Sequence, residues 1–108
     1  MATIEQFRQL EFKVAKIVKA DKHPNADRLL VLTVDTGSLQ KEVVAGIAQH
    51  YTPAELVGKS VVVVDNLEPA VIRGVTSNGM VLCATAQAEG ILTLVVPERP
   101  IPPGAVVR

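Results

Sequence analysis

TPAELVGKSVVVV, residues 52–64, is the stretch on which the fold turns. Thr52 and Glu55 are spaced as a capping box, Pro53 takes the first helical position with φ already set, and Gly58 suits the stop. The helix is therefore only one to two turns long. Ser60–Val64 then runs apolar and β-branched, as a strand buried on both faces does. Upstream, Arg28–Asp35 carries Leu29, Leu30, Val31, Leu32 and Val34, and Thr36, Gly37 and Ser38 turn the chain into a third strand, Gln40–Ile47. Before these lies Glu11–Ala20, where Phe12, Lys13 and Val14 alternate and the register slips around Ala15 and Lys16. One long strand with a bulge fits, because a bulge lets a strand bend around a barrel. Lysines at 13, 16, 19 and 22 also fit an amphipathic helix, but the β-branched content and Pro24 favour the strand.

Downstream of residue 64, an irregular loop from Asn66 to Asn78 leads to a fifth strand, Gly79–Ala84. A turn at Ala88, Glu89 and Gly90 then leads to Ile91–Val96. Pro97, Pro100, Pro102 and Pro103 predict an extended, largely unpaired tail. Thr3 and Gln6 form a second capping box before a short helix to about Leu10. Three strands, one short helix, then two strands is the element order of an all-β OB-fold: a five-stranded Greek-key barrel with its helix between strands three and four, here with terminal additions. A length of 108 residues fits a single domain, 1–108. The barrel interior accounts for one face of each strand, yet Leu29–Val34 and Val61–Val64 are apolar on both. The N-terminal helix, the Ile91–Val107 segment or a second copy of the chain must cover the rest, so a homodimer is expected.

Composition narrows the function. With 48% hydrophobic and 20% charged residues the chain folds, and eleven basic against eleven acidic residues leave no global field for nucleic acid or lipid. Any anion-binding role rests on a local patch. Cys83 is the sole cysteine, which excludes an intramolecular disulfide and a multi-cysteine zinc site. Residues 1–10 hold Glu5 and Arg8 rather than an apolar signal core, and no apolar run approaches the ~20 residues of a membrane span. A cytoplasmic protein without membrane contact is expected. His23 and His50 stand far apart with no metal-ligand spacing, Cys83 sits in an apolar strand, and the seven glycines are scattered, so neither catalysis, metal nor cofactor is expected.

The charge map says more than the total. Residues 1–34 carry six basic against four acidic side chains, residues 35–69 two against five, and residues 70–108 three against two. Positive charge thus concentrates on Lys13, Lys16, Lys19, Lys22 and Arg28. Phe7, Phe12 and Tyr51 are the only aromatic residues, too few for a base-stacking platform. The lysines also fit an ordinary solvated face; if the barrel binds RNA, a folded one read through phosphates and 2′-hydroxyls is expected.

The residues His23, Pro24, Asn25, Ala26, Asp27, Arg28, Leu29 and Leu30 resemble the "HPNADKLL" signature of the tRNA-binding domain family. Gly46, Ile47, Tyr51, Thr52, Pro53, Glu55, Leu56, Gly58 and Lys59 resemble its "GI…YTPEELVGK" segment. Asn66, Leu67, Pro69, Arg73, Gly74, Ser77, Gly79 and Met80 resemble its "NLxPxxxRGxxSxGM" loop, and Pro102, Pro103 and Gly104 its "PPG". The resemblance implies an OB-fold that binds tRNA by shape, and a dimer in stand-alone members. It implies a non-catalytic protein that assists an aminoacyl-tRNA synthetase of the methionyl type, in cis or in trans. Lys13, Lys16 and Arg73 are then expected on phosphates, with Asn66, Ser77 and Asn78 supplying neutral hydrogen bonds to backbone or ribose. About three neutralised phosphates predict a slope of log affinity on log salt near −2 to −3. The loop departs from the family pattern: Ala70 and Val71 replace basic residues, Asp65 replaces a small neutral one, and Glu68 adds an acid, so affinity should be reduced. Two rival functions are a secretion-related peptide-binding chaperone of the same fold, suggested by zero net charge and surplus apolar faces, and a dimerisation module.

Overall fold

One strand organises the molecule. In the computed structural model, which describes residues 1–108, β1 (Phe12–Lys22) has eleven residues and serves three neighbours. β2 (Leu30–Asp35) and β3 (Gln40–Ala45) form a hairpin, α2 (Pro53–Leu56) follows, and β4 (Ser60–Val64) returns to β1. The first half of β1 pairs antiparallel with β4 from Phe12↔Val64 to Lys16↔Ser60, and the second half pairs with β2 from Lys16↔Asp35 to Lys22↔Leu30. The register shifts between Ile17 and Lys19, two residues beyond the expected slip. There the Ile17 carbonyl accepts from Gly58 N–H (2.8 Å) and the Ile17 N–H donates to Lys59 O (2.9 Å). The turn after α2 therefore holds β1 at the point where it changes partner.

Alternation along these strands gives the core. Ala15, Ile17, Leu30, Leu32, Val34, Val43, Ala45, Val61 and Val63 point inward, and Leu56 of α2, fully buried, joins them. Each of the Val, Leu and Ile side chains among them contributes about 1.5–3 kcal/mol on burial. The helix itself is held by Glu55, whose Oε2 accepts from the Thr52 N–H at 2.8 Å and the Thr52 hydroxyl at 2.9 Å. Those bonds keep the Glu55 carboxyl below its ordinary range. The other capping box is also formed, at the start of α1 (Ile4–Arg8).

The remaining elements correct the sequence reading in three places. The loop after β4 contains a hairpin, β5 (Ala70–Ile72) and β6 (Val75–Ser77), joined by Arg73 and Gly74 at φ of 53° and 91°. Positive φ at both central residues is the backbone of a two-residue primed turn, normally marked by Asn-Gly; Arg at the first position hid it. The fifth strand divides into β7 (Met80–Val81) and β8 (Cys83–Ala86), the latter paired with β9 (Ile91–Leu94). The proline-rich tail is not unpaired: β10 (Val106–Val107) adds to β1 opposite Phe12 and Lys13, the Val14 N–H donates to Ala105 O (2.8 Å), and Gly104 N–H donates to Val14 O (2.7 Å).

The main sheet runs β3-β2-β1-β4-β7, with β10 also on β1. Asn78 N–H to Glu42 O (2.9 Å) and Val44 N–H to Ser77 Oγ (2.9 Å) join its far ends into a nearly closed barrel. This is the expected all-β OB-like fold. Val14, Val62 and Val64, on the outer rows, are buried within the single chain. Exposed apolar side chains include Ile4, Phe7 and Leu10 of the N-terminal segment and Val95, Val96, Ile101 and Val106 of the C-terminal one, with others at Leu39, Val57, Val71, Met80 and Ile91. No helix is long and apolar enough to cross a membrane.

Candidate nucleic-acid interface

The β5–β6 hairpin runs along the edge of β3, from Asn78 beside Glu42, past Ser77 beside Val44, to a tip at Arg73–Gly74. Its base and its tip gather different chemistry. At the base, Lys13, Lys41 and Asp65 continue the inward rows of β1, β3 and β4, so their charges meet where the barrel interior opens. Lys13 Nζ lies 2.9 Å from Asp65 Oδ2, and Lys41 Nζ pairs with Oδ1 while donating to the Asp65 carbonyl at 2.8 Å. Burial pushes the Asp65 carboxyl up, but the hydrogen bonds and charges of Lys13 and Lys41 outweigh it and hold the group below its ordinary value. The hydrogen bond to Asp65, aided by its charge, raises Lys13 in turn.

Four of the expected contacts lie in this region, and two of them have internal tasks. The Asn66 amide is used at both ends: Oδ1 accepts from Glu11 N–H (2.8 Å) and Nδ2 donates to Gln9 O (2.7 Å), tying α1 to the loop. Ser77 is buried at 3% exposure, its hydroxyl accepting from Val44 N–H and donating to Gly79 O at 3.1 Å. Both hydrogen-bonding capacities of the Ser77 hydroxyl are thus used inside the fold. Lys13 keeps its charge but shares it with Asp65. Asn78 remains half-buried, with its backbone N–H on Glu42.

At the tip the arrangement is different. Asn25 Nδ2 donates to Arg73 O (3.1 Å), Arg73 Nη2 approaches Asn25 O (3.5 Å), and His23 Nε2 lies 3.0 Å from Ile72 O. The turn after β1 and the hairpin tip are thus laced together. Arg28 and Arg73 border one cleft of about 420 Å³ with Ala26, Asp27 and Leu29. A neighbouring cleft of about 390 Å³ includes Lys22, His23, Asp27 and Tyr51. Lys22, Arg28 and Arg73 are all exposed and none is in an ion pair. Arg73 therefore keeps the free charge expected of it, while Lys22 and Arg28 join it; the local charge map contained both, but only the fold sets Arg28 beside Arg73.

Lys16 is exposed and unpaired, between Asp35 and Ser60 in register. It stands six residues before Lys22 on β1, about 20 Å at strand rise. The fold does not gather Lys13, Lys16 and Arg73 into one patch: Lys13 is at the hairpin base, Arg73 at its tip and Lys16 apart from both. No three His, Cys, Asp or Glu side chains converge in a geometry fit for a metal ion.

The chain as a whole is similar to known proteins. A family model described as "Putative tRNA binding domain" matches residues 12–106. Methionine–tRNA ligase of Bacillus subtilis is 44% identical over 106 residues, covering 98% of this chain and 16% of that protein. The same enzyme from Thermotoga maritima is 45% identical over 105 residues, 97% of this chain and 16% of the relative. This chain therefore spans about a sixth of the length of these curated relatives. Among solved structures, a MetRS related protein from Pyrococcus horikoshii superposes with a TM-score of 0.92 at 33% identity, covering 100% of this chain and 98% of that one. The chaperone CsaA from Bacillus anthracis gives 0.89 at 29% identity, covering 100% and 99%.

Proposed function

The chain belongs to the tRNA-binding domain family, and from that premise we propose that it docks folded tRNA, without catalysing a reaction on it, through Lys22, Arg28 and Arg73 around the joint of turn and hairpin. The observation that carries this reading is the cleft shared by Arg28 and Arg73. Two guanidiniums on one concave edge can each grip a phosphate with two N–H groups, a geometry lysine lacks. With three aromatic residues in the chain, recognition rests on the sugar-phosphate exterior. Asp27 lines the same cleft and offsets part of the charge, which keeps the affinity modest. Asn78 extends the footprint toward the hairpin base.

The docked tRNA is delivered to a methionyl-tRNA synthetase, in cis or in trans, in the cytoplasm. The protein works as a homodimer whose second copy covers the exposed apolar residues of α1 and the C-terminal segment. Sedimentation at micromolar concentration tests the dimer, and monomeric behaviour would remove it. For docking, the test is a gel shift of folded tRNA at ~50 and ~200 mM salt, with and without Arg73→Ala, since counterion release makes phosphate binding strongest at low salt. Unaltered mobility at the lower salt would refute docking. The likeness to CsaA favours one second reading, a peptide-binding chaperone. Suppression of client aggregation that tRNA does not compete away would select it.

A further inference from the structure

His23 is the only histidine enclosed by the fold, at 6% exposure, and both ring nitrogens are engaged. Nδ1 lies 2.9 Å from the Asn25 N–H, which can only donate, so Nδ1 must hold its lone pair. Nε2 lies 3.0 Å from Ile72 O, which can only accept, so Nε2 carries the hydrogen. The two partners fix a single neutral tautomer. We infer that neutral His23 is a positioning residue, a latch that fixes the Arg73 hairpin tip for tRNA docking, and that protonating it releases the tip and weakens docking.

The chemistry has one weak link. A protonated imidazole still donates to Ile72 O but presents a second N–H to the Asn25 N–H, so attraction becomes repulsion. Asn25 is the residue that both donates to Arg73 O and receives Arg73 Nη2 through its own carbonyl. Displacing it frees the backbone that holds Arg73 at φ 53°, a conformation a non-glycine residue keeps only when its surroundings enforce it. The charged or titratable groups around the ring are Lys22 and Asp27 from its own segment, Tyr51 from the loop before α2, and Arg73 from the hairpin. The inference rests on the tRNA-docking reading. It gives that reading a direction that simple electrostatics does not, because an added positive charge near phosphates would tighten binding in acid, whereas the latch loosens it.

The test compares wild type, His23→Asn and His50→Gln at about pH 8 and about pH 5.5, which bracket the range where histidine changes charge. Asn at position 23 offers Oδ1 to the N–H two residues on and does not titrate. tRNA affinity of wild type should fall about three- to tenfold at the lower pH, the equivalent of one hydrogen bond. His23→Asn should bind more weakly at about pH 8 and show no such fall, whereas exposed His50→Gln should behave as wild type. Without RNA, the wild-type amide resonances of Ile72, Arg73 and Gly74 should move between the two pH values, and those of His23→Asn should not. Wild-type affinity that is unchanged or rises in acid, with those resonances fixed, overturns the latch and leaves docking intact. Resonances that move while no tRNA binds at either pH overturn docking and, with it, the latch's role in docking, while the hold of His23 on the hairpin tip stands.

Discussion

Lys13 Nζ stands 2.9 Å from Asp65 Oδ2 at the mouth of the barrel, with Lys41 on the carboxylate's other oxygen. One carboxylate thus separates two ammonium groups on the inward rows of different strands. The pairing turns a residue expected on RNA into part of the closure of the fold, and it makes stability depend on pH in a defined direction.

Asp65→Asn leaves the two lysines facing each other without a counter-charge and should cost about 1–3 kcal/mol, between the loss of an exposed and of a buried pair. The Asp65 carboxyl is lowered on folding, so its stabilising contribution is complete above the unfolded value of about 4 and disappears as pH falls through the lower folded value. Urea melts of wild type and variant should differ at neutral pH and converge in strong acid. Equal differences throughout would show that the charge on Asp65 does not matter.

Gly37 and Gly104 meet where the tail crosses the β2–β3 hairpin. A Cβ on Gly104, at φ 92°, would lie 2.9 Å from Thr36 O, and one on Gly37 would lie 2.8 Å from Pro103 O. Gly104→Ala should therefore destabilise by about 1–3 kcal/mol, combining strained backbone and displaced contacts. Limited proteolysis should cut first within residues 97–108, and a cleavage pattern like that of wild type would contradict it.

Leu56 is the single buried residue of α2, and its side chain is fully enclosed. Leu56→Ala should cost about 2–5 kcal/mol by leaving a cavity under the helix. The thermal midpoint reads this directly, and a shift below about 2 °C would mean that the barrel end collapses to fill the space.

Asp27 and Arg28 predict opposite effects on tRNA docking. Arg28→Ala should weaken binding and reduce the steepness of log affinity on log salt by about one unit. Asp27→Asn should strengthen binding at ~50 mM salt by removing a carboxylate from the cleft. A salt titration of both variants checks the pair, and equal slopes for wild type and Arg28→Ala would remove Arg28 from the interface.

The sequence made the barrel legible because its signals are local: capping boxes at Thr3 and Thr52, alternation around Phe12–Val14, and the β-branched run at Ser60–Val64. The hairpin at 70–77 escaped because Arg73 occupies a left-handed turn position through contacts with Asn25, 48 residues away. The β10 pairing escaped because four prolines speak for an unpaired tail, while the bonds to β1 come from Gly104, Ala105, Val106 and Val107. In the candidate interface, residue type identified cations but not their partners. Nothing near Lys13 in the chain points to Asp65, and nothing near Ser77 points to Val44. Arg28 and Arg73 become neighbours only through the lacing of turn to hairpin.

Phe12 pairs with Val107, so the first and last strands lie side by side and the polypeptide arrives and departs through adjoining doors. Neighbouring backbones in such a ladder are about 5 Å apart. The barrel from Phe12 to Val107 therefore begins and ends at one place, a geometry that suits insertion into a host loop as well as attachment at a terminus.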